Sequence, residues 1–333
     1  MKNWLVIGIA LFSLWGCASR NEPVRFDLAE LESPILFQGD SLNAYRDPAV
    51  LFHDNRFYLF FTKSEIVGDS VYSYTAQSES DDLIHWTEPR RIVPNLQAKN
   101  YCGPGSVIRF KDEWILCLHS YPRLDYTVDQ MPRYGDADSR LYTIRSKDLV
   151  NWSAPELLRV RGNMPEADMG RMIDPYFVQD KDDPDRWWCF YKQNGISMSY
   201  SYDLVNWSYY GNFVTSGESP CVLTENNEYI LFHSPMNGIR MRKSRSLQNW
   251  ADWGGLITLG QREWPWARGR ITAGRVVNMS RTKGVNNYLM FFHGSGPKTE
   301  REGDFDKNCS IGVAWSRDLL RWEWPGMTSE TDR

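Results

Sequence analysis

The heptapeptide Ser80-Asp81-Asp82-Leu83-Ile84-His85-Trp86 returns four more times along the 333-residue chain, as SKDLVNW at 146–152, SYDLVNW at 201–207, SRSLQNW at 244–250 and SRDLLRW at 316–322. The five tryptophans stand 43 to 72 residues apart, which marks one structural module repeated with loops of unequal length. Upstream of each phrase the same two runs, rich in aromatic and β-branched residues, recur. The nearer occupies 72–77, 141–145, 196–200, 239–243 and 311–315; the farther and more apolar occupies 57–62, 114–119, 187–192, 229–233 and 288–293. A turn such as His53-Asp54-Asn55-Arg56 precedes the apolar run and closes a hairpin with a third, innermost strand. A fourth run follows each of the first four tryptophans, for example Arg91-Ile92-Val93. Each module therefore reads as a four-stranded antiparallel blade, and the chain as an all-β, five-bladed β-propeller, whose radial repetition protects the sheet edges. Little chain remains after Trp322, whereas Pro34-Ile35-Leu36-Phe37 precedes the first module as a spare strand. The N-terminal segment is thus expected to complete blade five and close the ring. Within the heptapeptide, Ser and Asp are expected to satisfy turn backbone groups, and Leu and Trp to pack between blades.

The N-terminus carries a different signal. Lys2, an apolar run from Trp4 to Trp15 and Gly16 directly before Cys17 form an export signal over residues 1–16. Leu14-Trp15-Gly16-Cys17 resembles a bacterial lipobox, apart from the large Trp15, and implies lipidation of Cys17. Residues 17–25 would then be a linker, 26–327 a single catalytic propeller and 328–333 a tail. The protein is expected in the periplasm or on the outer-membrane surface, held to the membrane only by the lipid, and monomeric. The net charge of −4 supplies no basic field for a phosphate backbone, so nucleic acid is set aside as a partner. After Cys17 the cysteines are Cys102, Cys117, Cys189, Cys221 and Cys309, an odd number without metal-ligand spacing, and they read as small buried hydrophobes.

In a propeller the innermost strands begin at the central channel. Aligning the modules on their hairpins sets Asp47-Pro48-Ala49-Val50, Gly103-Pro104-Gly105-Ser106, Asp174-Pro175-Tyr176-Phe177, Glu218-Ser219-Pro220-Cys221 and Thr272-Ala273-Gly274-Arg275 side by side. Three of the five open on a carboxylate. Gathering like charges about one axis is costly unless a purpose or a partner offsets it, so Asp47, Asp174 and Glu218 are the candidate catalytic residues.

With those three acids on blades one, three and four, the chain resembles the arabinanase and β-xylosidase propellers, glycoside hydrolase family 43 and its relatives. The resemblance implies a general base at Asp47, a pKa-modulating residue at Asp174 and a general acid at Glu218. It also implies an inverting, exo-acting hydrolase of furanosides or xylosides of plant-type polysaccharides, for example an α-L-arabinofuranosidase. Inverting glycosidases need such a pair, with a water between base and anomeric carbon and the acid on the other side of the ring. A neighbouring carboxylate helps the acid to keep its proton. The nearest rival is a retaining fructosidase of the invertase type, in which the first Asp is the nucleophile. There the first acid usually lies in an Asn-Asp-Pro-Asn-Gly context, from which Arg46-Asp47-Pro48-Ala49-Val50 departs. A surface glycan-binding lipoprotein without catalysis is the remaining alternative.

Further candidates for substrate binding are Arg275, which can pair with a substrate group or with Glu218 or Asp174, and His119, His233 and His293 at the ends of the second strands. Tyr45, Tyr101, Ser106, Trp264 and Trp266 join them from the loops and strands around the channel. Trp and Tyr faces stack on sugars, and the arginines of the 261–270 loop suit carboxylates, so a uronate-bearing or arabinose-decorated polysaccharide is a further expectation. The acidic run 180–185 lacks the Gly and closing Glu of an EF-hand loop and reads as a hairpin turn. No cofactor or metal ligand is expected, with room left for a structural calcium ion in the central channel.

Overall fold

Each heptapeptide makes the same tight turn. Ser80 Oγ accepts the N–H of Leu83 at 2.9 Å, and Asp82 Oδ1 accepts those of Ile84 and His85 at 2.9 and 2.7 Å. The pattern recurs at Ser146 and Asp148, Ser201 and Asp203, and Ser316 and Asp318. In the fourth copy Ser246 replaces the Asp, and Ser244 Oγ caps Leu247 at 2.9 Å. The central residues Leu83, Leu149, Leu204, Leu247 and Leu319 are all left-handed, with φ between 60° and 67°. That conformation costs a side-chain-bearing residue about 1–2 kcal/mol. Burial offsets it, because each leucine is at most 3% exposed and a fully buried Leu contributes roughly 1.5–3 kcal/mol. Two of the tryptophans tie their blade to the one before, Trp152 meeting Phe60 edge-on at 5.5 Å and Trp250 meeting Phe190 at 6.3 Å, whereas Trp207 stacks at 5.3 Å on Phe177 of its own blade.

The structure, a computed structural model, describes residues 24, 26–133 and 136–327. The signal segment, Cys17 and the tail 328–333 lie outside the described residues. Blade one runs outward as Asn43–His53, Arg56–Val67, Ser70–Ser80 and Arg90–Arg91. In blade two a broken inner strand, Asn100–Cys102 and Val107–Phe110, is followed by Glu113–Tyr121, Arg140–Ser146 and Glu156–Leu157. Blade three is Ile173–Gln179, Trp187–Lys192, Ile196–Ser201 and Ser208–Val214; blade four is Glu218–Glu225, Glu228–Ser234, Ile239–Ser244 and Ala251–Ile257. Blade five consists of Arg270–Met279, Asn287–Ser295 and Cys309–Ser316, and the N-terminal strand Ile35–Phe37 pairs antiparallel with the last of these. The ring thus closes through the segment read as spare. The apolar clusters lie between blades as well as within them, and the five cysteines from Cys102 onward are buried and free.

Where the inner strands meet the channel their pairing slips by one residue. The slip falls between Arg46 and Ala49, Ile173 and Tyr176, Glu218 and Cys221, and Thr272 and Arg275, and blade two breaks its strand at the same place. The extra residue is left-handed in every blade: Asp47, Gly103, Asp174, Ser219 and Ala273, with φ of 50° to 57°. Bulges of this kind re-aim side chains and tolerate proline, and Pro48, Pro104, Pro175 and Pro220 follow in four blades. The alignment expected from sequence is corrected by one residue here. Ser219 and Ala273, not Glu218 and Thr272, are the equivalents of Asp47 and Asp174, because the bulge rather than the hairpin length sets the register. Glu218 occupies the preceding position, that of Arg46, Cys102, Ile173 and Thr272.

Candidate active site

The backbone N–H that each bulge presents needs an acceptor, and the second strand of the preceding blade supplies it. Gly103 donates to Thr62 Oγ1 at 2.7 Å, Asp174 to His119 Nδ1 at 3.1 Å, Ala273 to Ser234 Oγ at 2.9 Å and Asp47 to His293 Nδ1 at 3.1 Å. At Gly103 a Cβ would lie 1.8 Å from the His119 ring, so glycine is required there. Lys192 holds the acceptor's place in blade three, but an ammonium has no lone pair; it donates to the carbonyl of Gly217 at 2.9 Å. The Ser219 N–H turns to Asp174 instead, whose Oδ2 accepts from Ser219 N at 3.0 Å and from Ser219 Oγ at 3.3 Å. One lysine in the ring thereby fixes the orientation of the Asp174 carboxylate.

Asp47, Asp174 and Glu218 line one cavity of about 140 Å³, together with His119 and His293. Burial pushes the Asp47 carboxyl up, yet Arg46, the two histidines and the Thr62 hydroxyl, 2.9 Å from Oδ2, together hold it below the usual carboxylate range. Asp174 goes the other way. Burial, then the negative charges of Glu218 and Asp47, raise it, and Arg275 and the Ser219 N–H recover only part of the shift. His119 is pushed down to about 3, by burial first and by neighbouring arginines, so its ring is neutral near pH 7. Its Nδ1 is occupied as an acceptor, which places the proton on Nε2, and Nε2 has no protein partner. A buried donor thus faces the cavity, ready for a ligand or water oxygen.

A fourth carboxylate completes the site. Glu300, 5% exposed, places Oε1 3.2 Å from His293 Nε2 and Oε2 2.5 Å from Arg270 Nη1, and Arg270 Nη2 lies 2.5 Å from Glu218 Oε1. An unbroken strap therefore runs Asp47, His293, Glu300, Arg270, Glu218. Glu300 begins a single 3-10 turn, Glu300–Glu302, held by a capping box between Thr299 and Glu302. That Thr-x-x-Glu pattern is legible in the sequence, but attention to inner-strand openings alone passes over it. Burial raises Glu300, but His293 and Arg270 bring it down to about 2. Because the folded value lies below the unfolded one, near 4.5, the contribution is full above about pH 4.5 and drains away as pH falls through about 2. Glu300→Gln should therefore cost about 3 kcal/mol in urea unfolding at pH 7 and distinctly less at pH 3. An equal cost at both pH values would show that the carboxylate is not held by charge.

The structure leaves the other expected binding residues out of the cavity. Arg275, 3% exposed, spends its guanidinium on the carbonyls of Ser219 and Pro220 behind the pore. His233 is one residue out of step with His119 and His293; Ser234 takes the ring position, and both His233 nitrogens are buried without a partner. Tyr45 packs on Phe37 and Phe61 at 5.5 and 5.7 Å, and Tyr101 meets Tyr142 edge-on at 5.0 Å. Ser106 Oγ accepts the N–H of Phe177 at 2.7 Å between blades two and three. Trp264 and Trp266 stack on each other at 5.2 Å and on Phe292, as core. Arg275 and Ser106 came from the inner-strand alignment, His233 from a second-strand end and the tyrosines and tryptophans from the loops, and none of them lines the cavity that holds the three acids. Among the described residues no group of three or more His, Cys, Asp or Glu is arranged to hold a metal ion.

Residues 43–254 match the sequence profile of the glycosyl hydrolases family 32 N-terminal domain. No curated protein matches the chain in sequence. In fold it is similar to a thermostable family-43 glycoside hydrolase (13% identity, 87% of this chain and 95% of the other, TM-score 0.58). It is also similar to the catalytic domain of the Coprinopsis cinerea GH62 α-L-arabinofuranosidase (15% identity, 84% and 94%, TM-score 0.57). A third likeness is to an exo-1,5-α-L-arabinanase from a bovine ruminal metagenomic library (17% identity, 84% and 95%, TM-score 0.53).

Proposed function

Since the chain belongs to the family of the glycosyl hydrolases family 32 N-terminal domain, and is a glycosidase, we propose that it removes single furanose or xylose units from the ends of plant-type polysaccharides. The observation that carries this is the one small cavity that collects Asp47, Asp174 and Glu218. Its volume of about 140 Å³ is well below the roughly 300–1,000 Å³ of sites for drug-sized ligands and suits one sugar ring, hence exo action. Asp47, kept ionised, acts on the anomeric carbon. Glu218 protonates the departing glycosidic oxygen as the C–O bond breaks. The negative charge of Glu218, after burial, raises Asp174, which therefore holds a proton more readily than an ordinary aspartate.

Two stereochemical courses suit an ionised Asp47. In an inverting enzyme it takes a proton from the attacking water; in a retaining one it attacks the sugar itself and water releases the glycosyl-enzyme later. The resemblance of the acid trio to family 43 favours inversion. The family 32 match favours the retaining fructosidase, the rival weighed above. Screening aryl α-L-arabinofuranosides, aryl β-D-xylosides and fructans, and following the first product of the best substrate by proton NMR, tests both points. Inversion of the anomeric centre supports Asp47 as base, retention supports it as nucleophile, and no turnover on any of these substrates would refute the proposal. Lipidation at Cys17 with export remains part of the proposal, and Cys17→Ala should move the protein from the membrane to the soluble fraction.

A further inference from the structure

Every blade turns its two repeated turns to the same side of the ring. The inner strands run from the bulges beside the acids to hairpins closed by pairs such as His53 with Arg56 and Met279 with Asn287, and the heptapeptides begin at that same end, Ser80 lying opposite Phe57. The molecule therefore has a catalytic face and, at the other end of the same strands, a turn face. We propose that the turn face is the membrane-apposed surface of the anchored protein, that a ring of aliphatic side chains on it rests on the lipid headgroups, and that the catalytic pore opens away from the bilayer. This goes beyond the hydrolase function and rests on the lipidation of Cys17 proposed above.

Three observations lead to the assignment. First, the described chain starts on the turn face. Phe26, buried there, meets Phe52 and Phe57 edge-on at 6.2 and 5.1 Å beside the blade-one hairpin, and a Cβ at Gly284, in the blade-five hairpin turn, would stand 3.4 Å from Val24 Cγ2. Second, the tether is short. From Cys17 to Val24 the chain spans at most about 25 Å when fully extended. The 12 residues of Arg56–Val67 carry blade one about 36 Å from the turn face to its far end, so a lipid on Cys17 cannot reach past the body to the catalytic side. Third, the fifth letter of the heptapeptide is aliphatic in four of the five copies, yet Ile84, Val150, Val205 and Leu320 are 43%, 49%, 63% and 48% exposed. The turn uses only the backbone N–H of this residue, and Gln248 in blade four shows that a polar side chain fits there. One exposed aliphatic residue is ordinary, but four at equivalent positions make an apolar ring on one face. An acyl anchor and an apolar surface on the same side of a protein reinforce each other's contact with lipid.

The test places the full-length protein, purified from membranes in detergent, in vesicles of phosphatidylethanolamine and phosphatidylglycerol that carry a rhodamine-headgroup lipid as energy acceptor. A fluorescent donor is attached either at Asp112→Cys, in the blade-two hairpin turn, or at Val67→Cys, at the far end of blade one. Both positions are exposed, neither lines the acid cavity, and the five cysteines from Cys102 onward are buried and stay unlabelled. Transfer to the lipid should be about threefold or more stronger from residue 112 than from residue 67, because the two stand at opposite ends of their blades. Ile84→Ser, Val150→Ser, Val205→Ser and Leu320→Ser combined, with a thermal melt as control, should shrink that difference to less than about twofold, because a tether alone leaves the body free to roll. Equal transfer from the two sites, or stronger transfer from residue 67, would overturn the apposition and leave lipidation and the hydrolase function standing. A wild type found only in the soluble fraction would overturn the apposition and the lipid anchor together, with the hydrolase function untouched. A difference that the Ser variant keeps in full would remove the aliphatic ring from the contact.

Discussion

Asp47→Asn should lower kcat/KM on the best aryl glycoside by about 10³–10⁴-fold with little change in folding, because an amide can neither attack the anomeric carbon nor take a proton from water. The local structure tolerates the exchange. The backbone N–H of residue 47 still donates to His293 Nδ1, and the amide oxygen can replace Oδ2 as acceptor for the Thr62 hydroxyl, now 2.9 Å away. Asn also adopts the left-handed conformation, φ 50°, that the bulge requires. What disappears is the charge that Arg46 and the neighbouring histidines keep in place. Steady-state kinetics with a thermal melt as control checks this; activity within tenfold of wild type in a folded variant would remove Asp47 from the reaction.

Glu218→Gln should show a loss that depends on the leaving group. Alkyl glycosides and oligosaccharides, whose departing oxygen needs a proton, should lose about 10³-fold or more, whereas activated aryl glycosides should lose far less. Substrate binding should be largely spared, since Arg270 Nη2, 2.5 Å from Oε1, can donate to an amide oxygen in the same place. A plot of log kcat/KM against leaving-group pKa checks the point: it should steepen in the variant, and a uniform loss across the series would assign Glu218 a role in holding the site together rather than in proton transfer.

The repeated heptapeptide made the fold legible because it records a local conformation that each blade needs. A left-handed Leu with a Ser and Asp cap leaves the same letters wherever it occurs, and the N-terminal closing strand followed from the chain left over. The acids were legible as residue types at the channel. Their registration was not, because a bulge inserts one residue without any obligatory letter: Gly103, Ser219 and Ala273 fill in other blades the position held by Asp47 and Asp174. His233 stands one residue short of the ring position on its own strand, and Ser234, the partner of Glu218 in the ladder, takes that position. Arg275 and Trp264 carry chemistry suited to sugars, yet period-two alternation and stacking on Phe292 turned them toward packing. Glu300 escaped notice because it reaches the pore from a loop between outer strands, through His293, a connection that only the folded chain makes.

Crystals of Glu218→Gln soaked with an oligosaccharide that the wild type cleaves would bear most directly on the three-carboxylate site. The terminal sugar should occupy the pore with its anomeric carbon beside Asp47 and its glycosidic oxygen beside residue 218. Sugar bound elsewhere on the propeller, with the pore holding only water, would contradict it.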